Sequence, residues 1–336
     1  MDLKTLTEIN APSGHEQAIR RFLLDELKKL GFAPVLDRMG NVVVVKEGTG
    51  DAPRKRVMVS AHMDEVGLIV TSATEDGYLR IAAAGGIDPR VLVSKRVTVG
   101  EDKLPGVIGA VPIHLQSAAE RKHVLSMDEL LVDIGAKNKD EAECKAPMGT
   151  YISFDTPYVE YGDGFACGKA FDDRVGCLSL LRLLQEELPV DLVACFVSEE
   201  EVGCRGAKGA AFQQEPDVGI VLEGTTCNDL GDVPETAHVC EAGQGVTVSF
   251  MDGASIANRA LFRKALDVAK QENIPHQVKH SVSGGNDSGA IQRAREGVPV
   301  VVLSVPCLYI HSPSSVVKLS DVESQFALVK ALVKAL

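Results

Sequence analysis

The stretch 168–206 constrains the fold of this chain more than any other. It sets an acidic pair, Asp172-Asp173, before one apolar run and a glutamate triplet, Glu199-Glu200-Glu201, after a second. Val175, Leu178, Leu181 and Leu184 recur at helical spacing, with Leu180 and Leu183 widening the stripe, and Pro189 stops the helix. Residues 190–197 are then almost continuously apolar, the pattern of a buried strand. Helix followed by buried strand predicts an α/β unit. Three consecutive glutamates at the end of such a strand repel one another, so a positive partner is expected beside them.

Other segments extend this reading. Ser13 and Glu16 are spaced as a capping box for an amphipathic helix carrying Ile19, Phe22, Leu23, Leu27 and Leu30, and Gly31 ends it. Segments 41–46, 56–61, 218–222, 246–250 and 298–305 read as strands. Segments 259–272 and 290–296 read as helices, and Asp321 is placed to cap a terminal helix carrying Val322, Phe326, Val329 and Leu332. From about Leu68 to Pro157 the texture changes. Short β-like runs at 78–82, 91–99, 106–111 and 151–154 are separated by Gly, Pro and Asp, and only 127–131 reads as helical. The expected organisation is an α/β domain over 1–67 and 158–336. A small β-rich domain over 68–157 is inserted in it and serves as a lid or an assembly surface.

Composition narrows the function. A formal net charge of −12 disfavours nucleic acid and anionic membranes, which call for a basic patch. No apolar run approaches the roughly 18 residues of a membrane span. Met1-Asp2-Leu3-Lys4 lacks the core of a signal peptide, and the eight cysteines are scattered without a C-x-x-C pair. Reduced, mostly buried thiols in a cytoplasmic protein are therefore expected. The absence of Trp argues against an aromatic platform for sugars or single strands.

Polar residues with ligand chemistry follow the buried strands. His62 comes after one, Glu200 and Glu201 after a second, Glu223 after a third, and His311 after a fourth and a short loop; Asp172 opens the helix before the second. Open α/β sheets bind ligands at the carboxyl ends of their strands. Histidine with carboxylates is the donor set of Zn²⁺ and similar ions. Taken singly, each residue has an ordinary structural explanation, such as a helix cap for Asp172 or a solvated loop for the glutamates. Together they exceed the needs of one tetrahedral zinc and suit two ions about 3.5–4 Å apart sharing a carboxylate. Asp64, two residues after His62, is placed to fix the tautomer of a ligating histidine. Of the adjacent Glu200 and Glu201, one can bind metal while the other acts as general base.

Four motifs carry a resemblance: Ala61-His62-Met63-Asp64-Glu65-Val66-Gly67, Phe171-Asp172-Asp173-Arg174, Glu200-Glu201-Val202-Gly203 and Tyr309-Ile310-His311-Ser312-Pro313. They resemble the glutamyl aminopeptidase / tetrahedral (TET) aminopeptidase family of co-catalytic metallopeptidases, from Ile9 to the terminal helix. The resemblance implies a three-layer α/β/α metallopeptidase domain with an inserted β-barrel-like, PDZ-like domain. It implies two divalent metal ions per subunit, Zn or Co foremost and Mn as a third choice. His62 and Glu223 would hold one ion, Glu201 and His311 the other, and Asp172 both. Glu200 would be the general base, with Asp64 orienting His62. Many members have aspartate where this chain has Glu223, and Glu199 is read as a neighbour of the site. The family's cis peptide after the bridging aspartate is expected between Asp172 and Asp173. The implied activity is removal of the N-terminal residue from short peptides, in a homo-oligomer, often a dodecamer. Two other readings remain at this point: an endoglucanase-like glycoside hydrolase, whose paired carboxylates would leave the histidines without purpose, and a catalytically silent scaffold.

Overall fold

A computed structural model describes residues 2–336 of the chain. Its centre is an 11-stranded sheet. Four parallel strands lie side by side in the order Asp191–Val197, Arg56–His62, Val218–Cys227, Val300–Leu308. Antiparallel strands extend it on both sides, Val42–Lys46 against the first and Ser315–Lys318 against the last. The apolar runs of the sequence explain why these strands are central, because both faces are covered. Val57, Val59, Leu192, Ala194 and Phe196 pack with the helices Gln17–Lys29, Phe171–Leu183, Arg259–Gln271 and Leu319–Lys334. Their neighbours Met58, Val193, Cys195 and Val197 face the opposite way, onto the helices Arg205–Gln214 and Asp287–Gln292. Strand periodicity of two thus generates the α/β/α layering.

Six strands between Gly67 and Phe154 close into a separate antiparallel barrel with its own core, including Leu68, Leu79, Ile108, Val132 and Ile152. The barrel leaves the main sheet directly after His62: Gly67–Ala73 begins five residues beyond it.

Several local expectations change. Ser13 and Glu16 form no capping box; the helix starts at Gln17 without a side-chain cap, and Ser13 Oγ donates to Asp64 instead. The buried carboxylate outcompetes the helix end for the hydroxyl, since a charged acceptor makes the stronger bond. Asp321 is not a cap either. It lies inside the terminal helix and accepts from the backbone N–H groups of Gly243 and Gly245 at 2.7 and 2.9 Å. Segment 127–131 is a single 3-10 turn followed by a strand, and 91–95 is irregular before the strand Arg96–Val99. The helices Leu3–Thr7, Lys139–Lys145 and Arg205–Gln214 have no apolar stripe long enough to read.

A buried ion pair ties the two ends of the main unit together at the barrel junction. Lys169 Nζ lies 2.7 Å from Glu65 Oε1, and that oxygen also accepts from the Ala11 N–H at 2.8 Å. Both side chains are buried. Removing one partner strands a buried charge, so Lys169→Met is expected to cost about 3–5 kcal/mol in urea denaturation. A loss below about 1 kcal/mol, typical of exposed pairs, would show that the pair is not structural.

Candidate metal centre

The strand register builds the site. His62 is the last residue of its strand and pairs with Val197, which ends the neighbouring strand. On the other side Ser60 pairs with Val221, so two residues further on His62 and Glu223 stand at one level. Glu223 therefore lies within its strand, which continues to Cys227, rather than after it. Glu200 and Glu201 occupy the turn beyond Val197. His311 follows the fourth parallel strand, and Asp172 sits in the first turn of its helix with non-helical backbone angles. The Asp172–Asp173 peptide is cis.

These elements bring all five expected ligands to one point. Asp172 is central. Its Oδ1 lies 3.3 Å from His62 Nε2, and its Oδ2 lies 3.5 Å from His311 Nε2. Glu223 Oε2 is 3.5 Å from His62 Nε2, and Glu201 Oε2 is 3.2 Å from His311 Nε2. One carboxylate thus faces two histidine–glutamate pairs. Gly224 donates its N–H to Asp172 Oδ1 at 3.1 Å, and a Cβ there would meet the same carboxylate at 3.0 Å, so glycine is needed for the approach.

Asp64 organises the rear of the site. Its Oδ1 lies 3.5 Å from His62 Nδ1 and accepts from the Glu200 N–H at 3.1 Å, while Oδ2 accepts from the Glu201 N–H at 3.2 Å. The Asp64 backbone carbonyl, 3.2 Å from His62 Nδ1, completes the contact, so one buried residue orients the histidine and the backbone of both glutamates. Glu199 turns away and pairs with Arg205 at 3.3 Å, outside the cluster. Left-handed backbone angles recur around the site, at Ala170, Glu199, Cys204, Tyr309 and His311. Each costs a non-glycine residue on the order of 1–3 kcal/mol, a cost that persists only where surrounding structure imposes it.

The electrostatics are those of crowded, buried acids. Burial, with Asp172 and Glu200 close by, pushes the Glu201 carboxyl up to about 8. Burial and the neighbouring carboxylates likewise raise Glu223 well above the carboxylate range and raise Glu200. Burial also acts on Asp172, but His311 and His62 outweigh it and hold that carboxyl below its usual range. For His311, burial opposes the charge, yet Asp172 and Glu201 prevail and lift it to about 9; His62 is raised in the same way by Asp172 and Asp64.

The residues fit the binding of divalent cations. The donor set is imidazole and carboxylate, the imidazoles are backed by Asp64 or held close by carboxylates, and Glu223 Oε1 is buried without a hydrogen-bond partner. A second buried carboxyl without partners, Asp287, lies near Glu200 and Cys204, whose thiol donates to Glu200 Oε1 at 3.4 Å. Ser13, Cys204, Asp287 and Lys279 were not picked out as site residues from sequence.

An α/β/α sheet with histidines and carboxylates gathered at the carboxyl ends of its parallel strands makes a candidate metal centre. Comparison with known proteins narrows the class. Residues 40–328 match the model of the M42 glutamyl aminopeptidase family. The glutamyl aminopeptidase of Lactococcus lactis subsp. cremoris is 33% identical, covering 99% of this chain and 95% of that protein. The lysyl aminopeptidase of Pyrococcus furiosus is also 33% identical, over 99% and 96%. A TET peptidase of Pyrococcus horikoshii, described as assembling into a tetrahedron or a large octahedral shell, superposes with a TM-score of 0.87 at 33% identity, over 99% of this chain and 98% of that one. The chain belongs to the M42 glutamyl aminopeptidase family of aminopeptidases. Among the described residues no helix is long and apolar enough to cross a membrane.

The raised groups give a testable sign. His62 and His311 keep their protons to higher pH than a free imidazole, and Glu201 and Glu223 to higher pH than a free carboxyl. Ligation requires the unprotonated forms. Titrating Zn²⁺ into chelator-stripped protein at pH 7 is therefore expected to release protons, seen as a calorimetric enthalpy that varies with the ionisation heat of the buffer. A buffer-independent enthalpy would contradict this arrangement.

Proposed function

We propose that this protein is a dinuclear metallo-aminopeptidase that removes the N-terminal residue of short peptides, with Glu200 as general base. The observation that carries the reading is Asp172, one carboxylate set between two histidine–glutamate pairs. In this reading His62 and Glu223 hold one ion, Glu201 and His311 the other, and Asp172 spans both. Zn or Co suits the donors best, and Mn also matches them. Ions bound there would polarise the scissile carbonyl and lower the pKa of a water.

The chain's own residues supply the rest. Glu200 lines the same cavity as Asp172, Glu223 and His311, and its backbone is fixed by Asp64. It takes the proton of the attacking water and returns it to the leaving amine. Asp64 holds His62 by its Nδ1 side, which leaves Nε2 turned toward Asp172. The same cavity would also receive the free amine that distinguishes a peptide N-terminus from an internal peptide bond.

Family membership and the use made of both histidines favour this reading over glycoside hydrolysis, and a complete donor set favours it over a silent scaffold. A homo-oligomer, with a dodecamer as the expected form, belongs to the same proposal. The shell-forming relative supports it, as does the exposed apolar stretch Val111, Ile113, Leu115 and Val124 within the barrel segment. A cytoplasmic setting is supported by eight free cysteines, most of them buried.

Two variants test the roles. Glu200→Gln is expected to keep its metal content and lose about 10²–10⁴-fold in kcat on aminoacyl-arylamides. Asp172→Ala is expected to lose metal as well, read by elemental analysis after desalting. Normal turnover in Glu200→Gln would remove it as the base, and full metal loading of Asp172→Ala would remove the bridge.

A further inference from the structure

Beside the proposed base lies a further group of metal-type donors that shares no residue with the proposed ligands. Glu200, Cys204 and Asp287 each bring one ligand atom to within 4.8 Å of the other two. Glu200 and Cys204 belong to the turn that leads from the strand Asp191–Val197 into the helix Arg205–Gln214. The backbone sets that turn: the N–H groups of Gly203 and Cys204 donate to the Glu200 carbonyl at 2.9 and 2.8 Å, and the Arg205 N–H donates to the Glu199 carbonyl at 3.1 Å. Asp287 is the first residue of the helix Asp287–Gln292. The preceding Asn286 accepts from the Ser288 N–H at 2.9 Å and donates to Asp252 at 3.1 Å, which fixes that approach too.

The group lacks hydrogen-bond donors. Asp287 is 1% exposed, and among the described residues neither of its carboxyl oxygens has a hydrogen-bond partner. The donor shared between the three side chains is the Cys204 thiol, which donates to Glu200 Oε1 at 3.4 Å. One weak S–H cannot serve two carboxylates. A buried carboxyl without a partner is costly, and a native structure keeps one only for a reason. The spacing also suits one ion. Zn–S of about 2.3 Å and Zn–O of about 2.0 Å at a tetrahedral angle set sulfur and oxygen about 3.5 Å apart, close to the separation of Cys204 Sγ and Glu200 Oε1. A thiol hydrogen bond has a similar length, so it is the orphaned Asp287 carboxyl that calls for a cation.

We propose that Glu200, Cys204 and Asp287 form a further metal site, one that takes a thiophilic divalent cation such as Zn²⁺ or Cd²⁺ and is inhibitory. The site stands on this donor set alone; its inhibitory effect rests on the reading of Glu200 as general base. On binding, Cys204 gives up its S–H proton to solvent and the sulfur becomes a ligand. One oxygen each from Glu200 and Asp287 completes three protein ligands, with water in a fourth position. The cation takes an oxygen of Glu200 and neutralises its charge, so this residue no longer accepts the proton of the attacking water. The thiolate sets the selectivity: Mn²⁺ and Mg²⁺ prefer oxygen donors, whereas Zn²⁺ accepts sulfur. An occupied centre close by repels an added cation, so this site fills last, at higher metal concentration.

The test starts from chelator-stripped protein reloaded with Zn²⁺ to full activity and freed of excess metal. It compares the parent with Cys204→Ser and Asp287→Asn, all three carrying Cys144→Ala to remove the exposed thiol. Further Zn²⁺ is titrated against turnover of an aminoacyl-arylamide, each protein read against its own uninhibited rate. Cd²⁺ binding is followed separately, by the ultraviolet charge-transfer band of a cadmium thiolate. The parent is expected to lose turnover reversibly as Zn²⁺ rises, with Mn²⁺ and Mg²⁺ much less effective. Each variant is expected to need at least about 10- to 100-fold more Zn²⁺ for the same inhibition, since even an outer-shell partner is worth that much in metal affinity. The Cd²⁺ band is expected to be absent from Cys204→Ser and weakened in Asp287→Asn. Thermal midpoints confirm that each variant is folded.

Inhibition by Zn²⁺ that is the same in all three proteins would put the inhibitory ion elsewhere and overturn the proposal. A parent with neither inhibition nor a Cys204-dependent Cd²⁺ band would overturn it as well, leaving the thiol as a hydrogen-bond donor to Glu200 and nothing more. A Cys204-dependent band in a protein whose turnover is untouched by saturating Cd²⁺ would keep the site, overturn its inhibitory role and remove Glu200 as the base. Failure to cleave any arylamide with any metal would overturn the aminopeptidase reading itself, and the Cd²⁺ titration would still decide whether the site exists.

Discussion

Everything in this molecule answers to one electrostatic difficulty: Asp64 and Glu223 are buried in one cluster with Asp172, Glu200 and Glu201, which are nearly so. Carboxylates at such separations cannot all stay ionised without a counter-charge. The two histidines supply part of it, which is why both are raised while Asp172, lying between them, is lowered. Burial acts against the Asp64 charge too, but His62 and Ser13 outweigh it and lower that carboxyl, and Glu200, Glu201 and Glu223 are raised instead. The protein holds these groups together with a rigid α/β/α frame, and the strained left-handed residues at Ala170, Glu199, Cys204, Tyr309 and His311 mark where that frame bends the chain to bring them to a point.

The frame and the difficulty were legible in the sequence for the same reason. Parallel strands buried on both faces are nearly pure apolar runs, and Val190–Val197, Val57–Ala61 and Val300–Val305 are visible as such. A charged residue at the end of one such run is ordinary, but histidines and carboxylates after several of them are not, so His62 and the Glu199–Glu201 triplet stood out together. Glu223 was legible as a residue, but its setting was not: its strand runs on through Gly224-Thr225-Thr226, a polar segment that pairs with Val305–Cys307 because the neighbouring strand, not local propensity, holds it. The barrel showed itself as a change of texture, yet 127–131 read as helix where there is one 3-10 turn, and the short strand Leu131–Asp133 after it went unread, three residues being too few to display a period.

What escaped the sequence is the set of contacts made across long separations. Ser13 and Glu16 have the spacing of a capping box, and a local rule had no means of knowing that Asp64, 51 residues away, would claim the hydroxyl. Asp321 likewise looks like a helix cap and instead secures the backbone turn at Gly243 and Gly245. In both cases a short polar side chain that satisfies a local motif is diverted to a buried demand, which the energetics favour because an unmet buried group costs more than an open helix end.

Lys279 is the extreme case. It sits in Val-Lys-His, at the end of a three-residue strand, without any pattern around it. A lysine in such a place is ordinarily a solvent-exposed residue. It becomes informative only when topology carries it to the cavity that Asp172, Glu200 and Glu223 also line. The proposed ligands sit on the frame or beside it, mostly at strand ends that the apolar pattern announces. Much of the rest of that cavity comes from loops and a short edge strand, including Lys279, Ser283, Gly284 and Gly285, where a change alters the lining without disturbing the sheet. The part of a site that is freest to vary is therefore written where sequence periodicity is weakest.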